Sequence, residues 1–435
     1  MSGTAQPPHS ASDPRDSPDT PGRPLLTLGV LANSTMENER RLPLHPHHLD
    51  RIDPDIRARM VVERGYAADF QLEPEYVESR VGSVAERSEV IQAADVLLLP
   101  KPQAADVNEI PAGRTLWGWP HCVQDTELTQ TAIDRRLTLI AFEAMNHWTR
   151  QGDFSLHVLH KNNELAGYSS VIHALGLTGT TGDYGPRRSA VVIGFGATAR
   201  GAVTALSAHG IHDIQVLTQR GATAVGSPIH SAHITQLHTD GGPAHLGTVP
   251  TADGDVPLPV FLAAHDIVVN CTLQDVNAPM TYLRTQDLEG FAPGSLIIDV
   301  SCDAGMGFEW AEPTGFDDPM FTVGHGVHYY AVDHSPSYLW NSATWEISVA
   351  LLPFLRTVME GPAAWDEDLT ISRAIEIRDG VIVNPSILSF QGRDTAYPHA
   401  LAGTRPAWPT HSAYGSGATA SGRGPATVTG CRGTR

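Results

Sequence analysis

The sequence predicts an α/β fold with two domains, each built around a parallel β-sheet. Short apolar runs alternate with helix-forming segments both before and after residue 190, which is the pattern of repeated strand–helix units. A glycine-rich turn also joins a strand to a helix near the middle of the chain. The length of 435 residues, of which 41% are hydrophobic and 18% charged, is sufficient for two domains with full cores.

The segment from Ala190 to Arg220 carries the glycine-rich turn and has the pattern of a strand, a turn, a helix and a second strand. Gly194 permits a tight exit from the first strand, Gly196 lets the backbone approach a pyrophosphate, and Ala199 allows the helix to pack closely on the sheet. The helix then directs unpaired N–H groups at the phosphates. We therefore predict a Rossmann-like dinucleotide site; the alternative is a glycine turn in an ordinary α/β sheet.

The end of the second strand of this unit indicates which nucleotide is bound. An NADH site usually has Asp or Glu there, which bonds the ribose 2′-hydroxyl. This chain has Thr218, Gln219 and Arg220, which suit a 2′-phosphate because Arg220 offers charge-assisted hydrogen bonds. We predict NADPH, against the alternative that Arg220 is a solvated turn residue. Thr272, at the carboxyl end of a later strand, is a further candidate cofactor-binding residue.

The net charge and the cysteines exclude several classes of partner. A net charge of −19 argues against nucleic acid or an anionic membrane surface, because both attract positively charged proteins. The sequence has no stretch of the roughly 20 apolar residues that a spanning helix needs, and its N-terminus lacks the features of a secretory signal. The four cysteines show no CxxC spacing, so we expect a reduced, cytoplasmic protein and assign no metal site.

Composition changes along the chain predict its domain boundaries. Residues 1–24 and 410–435 are poor in large apolar residues, which predicts disordered tails. The predicted substrate domain comprises residues 25–160 and 342–400, and the predicted cofactor domain, residues 161–341, is inserted between these two parts. We expect the active site in the cleft between the domains, with closure by a hinge.

Polar side chains follow several predicted strands directly. The strands are predicted at 95–99, 115–119, 137–142 and 294–303, and the polar residues are Lys101, His121, Glu143 and Asp303. In open α/β sheets ligands bind at the carboxyl ends of strands, so these residues are candidates for a site. Each also has a simpler explanation when considered alone: a snorkelling surface Lys, a capping His, a solvated carboxylate.

Four segments occur in the order Asn38–Leu44, Leu99–Pro102, Trp119–His121 and Asp299–Asp303. In the same order, these segments resemble the substrate-arginine, substrate-lysine, catalytic-histidine and aspartate motifs of one family, which contains the alanine dehydrogenases, transhydrogenases and saccharopine dehydrogenases. The resemblance covers roughly residues 25–400. It implies two Rossmann-like domains, with the active site in the cleft between them.

The resemblance also implies a role for each polar residue. Arg41 and Lys101 would bind the carboxylate of a 2-oxo acid, and Lys101 would also reach its carbonyl oxygen. His121 would transfer protons, since the pKa of histidine lies near neutrality. Asp303 would bond the carbinolamine or imine, or orient His121, and His334 would lie beside the nicotinamide. We therefore predict His121, Asp303 and Lys101 as the catalytic residues.

Within this family, the details resemble the N5-(carboxyethyl)ornithine synthases, through Lys161–Tyr168, Ser301–Phe308 and Val332–Trp345. This branch implies an NADPH-dependent condensation of pyruvate with the side-chain amine of an amino acid such as ornithine, and we expect a homo-oligomer. Gln219–Arg220 replaces the acid expected in alanine dehydrogenases, which disfavours NAD and free ammonia. Two alternatives remain open: reductive amination of a 2-oxo acid with ammonia, and a non-catalytic nucleotide-binding regulatory protein.

Overall fold

The computed structural model describes residues 23–219, 232–239, 242–275 and 278–401. Arg220, the 410–435 tail and all but two residues of the 1–24 tail lie outside these residues. The described chain forms two large sheets, of eight and seven strands, with helices on their faces, which confirms the predicted α/β class. No helix among the described residues is long and apolar enough to cross a membrane.

The first part of the chain forms six parallel strands with short helices between them. The strands are β1 (Leu28–Val30), β2 (Met60–Glu63), β3 (Ser83–Ala85), β4 (Val96–Leu98), β5 (Thr115–Gly118) and β6 (Thr138–Ala141). The helices are α1 (Pro54–Arg57), α2 (Pro74–Glu78), α3 (Arg87–Ala93), α4 (Ala104–Glu109) and α5 (Thr126–Asp134). Their order in the sheet is β6-β5-β4-β1-β2-β3. Strands β4, β5 and β6 are buried at every residue, as expected for parallel strands that are covered on both faces.

A hairpin and one long helix connect the two sheets. The hairpin consists of β7 (Asn146–Trp148) and β8 (Phe154–His157), and the helix is α6 (His160–Thr178), which ends at Gly179 in the left-handed conformation. Helix α6 was not expected from the sequence. It packs on neighbours on several sides, so its apolar residues do not form the single stripe that predicts a helix.

The second sheet contains the glycine-rich turn. Its segment comprises β9 (Ser189–Ile193), α7 (Ala197–Ala208), β10 (Asp213–Thr218), β11 (His233–Gln236), β12 (Thr248–Thr251), β13 (Gly254–Pro257), α8 (Leu258–Ala263), β14 (Ile267–Asn270), β15 (Thr281–Leu283), β16 (Leu296–Asp299), β17 (Gly307–Phe308), β18 (Met320–Val323) and β19 (Val327–Tyr330). The order in the sheet is β11-β10-β9-β14-β16-β19-β18. All neighbours are parallel except β18 and β19.

The chain then returns to the first sheet. It forms α9 (Trp340–Leu351), α10 (Leu355–Met359), α11 (Pro362–Glu367), α12 (Leu369–Ala374), β20 (Ile375–Arg378), β21 (Val381–Ile382) and α13 (Pro385–Gln391). Strand β20 pairs antiparallel with β6, and β21 with β20. The two sheets are therefore mixed at their edges rather than parallel throughout.

Each sheet has an apolar core on both faces. Buried residues of the first sheet form one cluster around Trp117 and another around Leu97, and those of the second sheet form clusters around Val192 and Ile297. Burying a side chain such as Leu97 stabilises the fold by about 1.5–3 kcal/mol. Several predicted strands are longer than the observed ones: 294–303 was expected, but β16 ends at Asp299. The remaining residues leave the sheet at its carboxyl edge and form the site.

Candidate active site

A cavity of about 1530 Å³ lies between the carboxyl edges of the two sheets. Loops after β4, β5 and β6 form one wall, and loops after β9, β10, β14, β16 and β19 form the other. Eight of the predicted site residues line it: Lys101, His121, Gly194, Gly196, Thr218, Gln219, Thr272 and Asp303. Ala199, Arg41 and His334 are buried behind this wall, and Arg220 lies outside the described residues.

The glycine-rich turn has the geometry of a phosphate-binding loop. Gly194 has φ +102°, and a Cβ atom there would lie 3.0 Å from the carbonyl oxygen of Cys271. Gly196 precedes α7 and faces open space, with no heavy atom within 4 Å of an added Cβ. No side chain caps α7, so its first N–H groups are available to a ligand in the cavity. The buried Ala199 packs inside the sheet–helix interface.

Helices α6 and α7 cross with their backbones in contact beside this loop. A Cβ atom at Gly167 would lie 1.9 Å from the carbonyl oxygen of Thr198, and one at Gly201 would lie 1.8 Å from that of Glu164. Both glycines are therefore required by the close approach. This contact fixes the N-terminus of α7 against the helix that connects the two sheets.

Polar residues follow the strands on either side of the loop. Thr218 ends β10 and is buried, and the Gln219 Nε2 atom lies 2.9 Å from the Met280 sulfur. The Thr272 hydroxyl accepts a hydrogen bond from Tyr282, and the Thr272 carbonyl accepts one from Ser301. These contacts hold the loops after β10 and β14 at the cavity.

Lys101 connects the two walls of the cavity. Its side chain is 12% exposed, and its Nζ atom lies 3.6 Å from Oδ2 of Asp333, which follows β19. The neighbouring prolines restrict its backbone, and the carbonyl oxygen of Pro100 accepts a hydrogen bond from the Trp119 N–H. Burial acts to raise the pKa of Asp333, but the hydrogen bond with His334 and the charge of Lys101 hold that pKa at about 2.

His121 lies at the turn after β5 and is held by Glu143. Its φ of +47° is unusual for a non-glycine residue, and its backbone N–H donates to Glu143 Oε1 at 2.8 Å. The pKa of the imidazole is lowered because protein surrounds it and because Lys101 and Arg41 are positive. Since 44% of the side chain faces the open cavity, it keeps contact with water. His121 is therefore neutral at neutral pH.

Two carboxyl groups that line the cavity have raised pKa values. Burial and the charge of Glu376 raise the pKa of Glu143 to about 8, and its Oε2 atom is buried with no hydrogen-bond partner among the described residues. Burial raises the pKa of Asp303 to about 6, against the charge of Lys101, which lowers it. Glu143 is thus protonated at neutral pH, while Asp303 titrates close to it.

Arg41 forms a buried ion pair that sequence reasoning missed. Glu39 accepts hydrogen bonds from the Arg41 Nε at 2.8 Å and Nη2 at 2.5 Å, and the Glu39 Oε1 atom also accepts one from Ser337 at 2.5 Å. The guanidinium lies 5.0 Å from the Trp119 ring centre, and its Nη1 donates to Asn162 at 3.4 Å. Trp119 lines the cavity and Arg41 stands behind it. The one signal for this pair in the sequence is that Glu39 and Arg41 lie two residues apart.

His334 is buried, and the preceding residue, Asp333, faces the cavity. Its Nδ1 atom lies 2.6 Å from Asp333 Oδ1, its ring packs edge-on against Phe316, and its Nε2 atom has no partner among the described residues. Asp333 lines the cavity instead. The structure therefore places Asp333 on the cavity wall and the predicted residue His334 directly beside it, out of the cavity.

Two protein-family models match most of the chain. A model described as the alanine dehydrogenase/PNT N-terminal domain matches residues 29–166, and one described as the alanine dehydrogenase/PNT C-terminal domain matches residues 190–385. The chain belongs to the alanine dehydrogenase/PNT family. The predicted family is thereby confirmed, and the first match contains Lys101 and His121 while the second contains the glycine-rich turn.

Individual members of the alanine dehydrogenase/PNT family are similar at low identity. Alanine dehydrogenase 2 of Staphylococcus aureus strain USA300 is 26% identical over 324 residues, which cover 73% of this chain and 83% of that protein. An L-alanine dehydrogenase structure covers 84% of this chain and 99% of its own, with 18% identity and a TM-score of 0.65. A transhydrogenase structure from Sinorhizobium meliloti covers 83% and 99%, with 20% identity and a TM-score of 0.61. These structures show the same fold. The family is one of oxidoreductases that bind pyridine nucleotides.

Proposed function

We propose that this protein is an NADPH-dependent oxidoreductase that condenses pyruvate with an amine and reduces the resulting C=N bond. One observation carries the proposal. Lys101 and His121 from the first sheet, Asp303 from the second, and the Gly194–Gly196 loop all line a single cavity. A cation, a proton carrier, a titrating carboxyl and a dinucleotide loop are the groups that this reaction needs.

The oxo acid needs a positive partner, and Lys101 provides it. Its Nζ atom suits the carboxylate or the carbonyl oxygen, and its pairing with Asp333 at 3.6 Å is long enough to be exchanged for a substrate oxygen. Arg41 is our second candidate for the carboxylate. Its Nη1 atom, which donates to Asn162 at 3.4 Å behind Trp119, is the nitrogen that Glu39 does not hold. The remaining Arg41 nitrogens are held by Glu39.

His121 is the proposed proton carrier. The amine nitrogen forms a bond to the carbonyl carbon, the oxygen leaves as water, and a hydride adds to the same carbon. His121, which is neutral before the reaction, accepts one proton of the incoming ammonium and returns it to the leaving oxygen. The nitrogen of the carbinolamine gives that oxygen its second proton, so that it leaves as water. Asp303, with a pKa of about 6, is placed to stabilise the positively charged imine. When bound, the reduced nicotinamide supplies the hydride.

The residues around the nucleotide loop fit a pyridine nucleotide. The open space at Gly196 and the uncapped N-terminus of α7 accept a pyrophosphate. We propose NADPH because β10 ends at Thr218 and is followed by Gln219, so that neither residue is the acid that would bond a ribose 2′-hydroxyl. We assign Thr272 to the same nucleotide because it lines the cavity after β14.

Two amines are the leading candidates. An amino-acid side-chain amine, such as that of ornithine, is supported by the size of the cavity and by the carboxyl groups of Asp125 and Glu164 on its walls, which favour a cation. Ammonia is supported by the relatives named alanine dehydrogenase, at 26% identity.

An amine screen tests this proposal. Purified protein is mixed with pyruvate and NADPH, and ornithine, lysine or ammonium is added in turn while nicotinamide absorbance is followed. We expect oxidation with a side-chain amine and little with ammonium. Turnover with ammonium alone would instead support the alanine dehydrogenase reaction, and no turnover with any amine would overturn the proposed function.

A further inference from the structure

Arg200 lies on the wall of the cavity beside the glycine-rich loop. It is the fourth residue of α7, and it lines the same cavity as Gly194, Gly196 and Thr198. Side chains of a helix slant towards its N-terminus, so an arginine at this position extends back over the first turn. That direction brings its guanidinium towards the place where the unpaired N–H groups of α7 point.

An aromatic platform holds the guanidinium in this direction. The Arg200 Cζ atom lies 4.7 Å from the centre of the Phe195 ring. Phe195 is itself 7% exposed and belongs to the apolar cluster on the α7 face of the second sheet. The ring is therefore fixed by packing, and stacking on it limits the rotamers of Arg200. A preorganised arginine loses less freedom when it binds a phosphate.

The charge distribution of the cavity gives Arg200 a distinct role. Among the described residues that line it, the lysines and arginines are Lys101 and Arg200. Lys101 belongs to the other wall, in the loop after β4, and is paired with Asp333. The acids on the walls are Asp125, Glu143, Glu164, Asp303 and Asp333. A dinucleotide brings two negative charges into this acidic cavity, and the first turn of α7 contains no acid. Arg200 is the side-chain cation at the phosphate end.

We infer that Arg200 binds the pyrophosphate of the nucleotide, together with the N–H groups at the start of α7. Guanidinium and phosphate form paired, charge-assisted hydrogen bonds, which add to the interaction with the helix dipole. The inference rests on the binding of a pyridine nucleotide and is independent of the oxo acid and the amine. Binding of the 2′-phosphate is a separate task, for which the end of β10 is the candidate.

Nucleotide titration of the full-length protein tests this role. Dissociation constants of NADH, NADPH and ADP-ribose are measured by calorimetry for the wild type and for Arg200→Gln, which keeps a stem over Phe195 but removes the charge. The matched control is Arg187→Gln, at an exposed arginine in the loop that precedes β9, at the opposite edge of the sheet. Melting temperatures without nucleotide establish that the variants fold.

All three ligands share the pyrophosphate, so we expect Arg200→Gln to weaken them by the same factor, about tenfold to a hundredfold. The control is expected to leave all three constants unchanged. A loss confined to NADPH would assign Arg200 to the 2′-phosphate and overturn the inference, as would unchanged binding of NADH and ADP-ribose. Because titration needs no turnover, a failure of the oxo acid chemistry would leave this result intact.

Discussion

The Nζ atom of Lys101 lies 3.6 Å from Oδ2 of Asp333, and this ion pair joins the two sheets across the cavity. Lys101 follows β4 and Asp333 follows β19, so the contact brings the carboxyl edges of both sheets together. The charge of Lys101 also lowers the pKa values of His121, Glu143 and Asp303. Lys101 is therefore placed to act both as a ligand and as the electrostatic centre of the site.

Replacing Lys101 by Gln tests both functions. The pyruvate Michaelis constant is expected to rise about tenfold to a hundredfold, because a charged contact to the carboxylate is lost. The pKa values of His121 and Asp303 should rise, since a nearby positive charge lowers both. The acid limb of the kcat/KM pH profile is then expected to move to higher pH. Lys161→Gln, on the exposed start of α6, is the matched control, and an identical pH profile in both variants would contradict the assignment.

Glu143 should make folding stability fall as the pH rises. Its pKa is raised from 4.5 to about 8, so between these values the unfolded chain ionises while the folded protein keeps the proton. Its contribution to stability is complete below the unfolded pKa and is lost as the pH rises through the folded pKa, on the order of 2–4 kcal/mol. Urea unfolding at about pH 5 and pH 8 measures this loss. Glu143→Gln should show a smaller loss; parallel pH dependences would contradict the raised pKa.

Glu39 and Arg41 should stabilise the fold only when both side chains are present. Both side chains are buried, with 3% and 4% exposure. Glu39→Ala leaves an unpaired buried guanidinium and should lower the free energy of unfolding by about 3–5 kcal/mol. The double variant Glu39→Ala/Arg41→Ala should be more stable than Glu39→Ala alone. Additive losses in urea unfolding would show that the two side chains act independently.

Substitutions of the two glycines of the nucleotide loop should have different effects, one on NADPH binding and the other on stability. Gly196 has φ −97° and faces open space, so Gly196→Val should fold normally but weaken NADPH binding at least about tenfold by filling the place of the phosphate. Gly194 has φ +102° beside Cys271, so Gly194→Ala should cost about 1–3 kcal/mol of stability. Calorimetric titration and thermal unfolding of both variants separate these effects, and tight NADPH binding by Gly196→Val would contradict the loop assignment.

The sequence predicted those parts of the molecule that depend on local patterns. Gly194 and Gly196 were assigned because strand, turn and helix are contiguous, and Lys101 and His121 because each follows an apolar run. Contacts between distant segments could not be predicted in this way. The pairing of Lys101 with Asp333 depends on how two sheets meet, as does the position of Arg41 behind Trp119 rather than on the cavity wall.

Helix α6 shows the same limit for secondary structure. Its 19 residues pack against α7 and α9, so burial is distributed around the helix and no single apolar stripe marks it. Strand ends were also uncertain from sequence, since apolar residues continue past Asp299 into the loop that carries Asp303. In both cases the tertiary contacts, rather than the local sequence, determine the element.

Transfer of deuterium from NADPH to the product tests most directly whether the protein reduces a C=N bond in this cavity. Wild-type protein is incubated with pyruvate, ornithine and NADPH deuterated at the transferable position of the nicotinamide, and the product is analysed by mass spectrometry and NMR. We predict a secondary amine with deuterium on the former carbonyl carbon, and a turnover about 10²–10⁴-fold lower in His121→Ala, with NADPH binding retained. Lactate as the deuterated product, or an unlabelled amine, would contradict reduction of a C=N bond in this cavity.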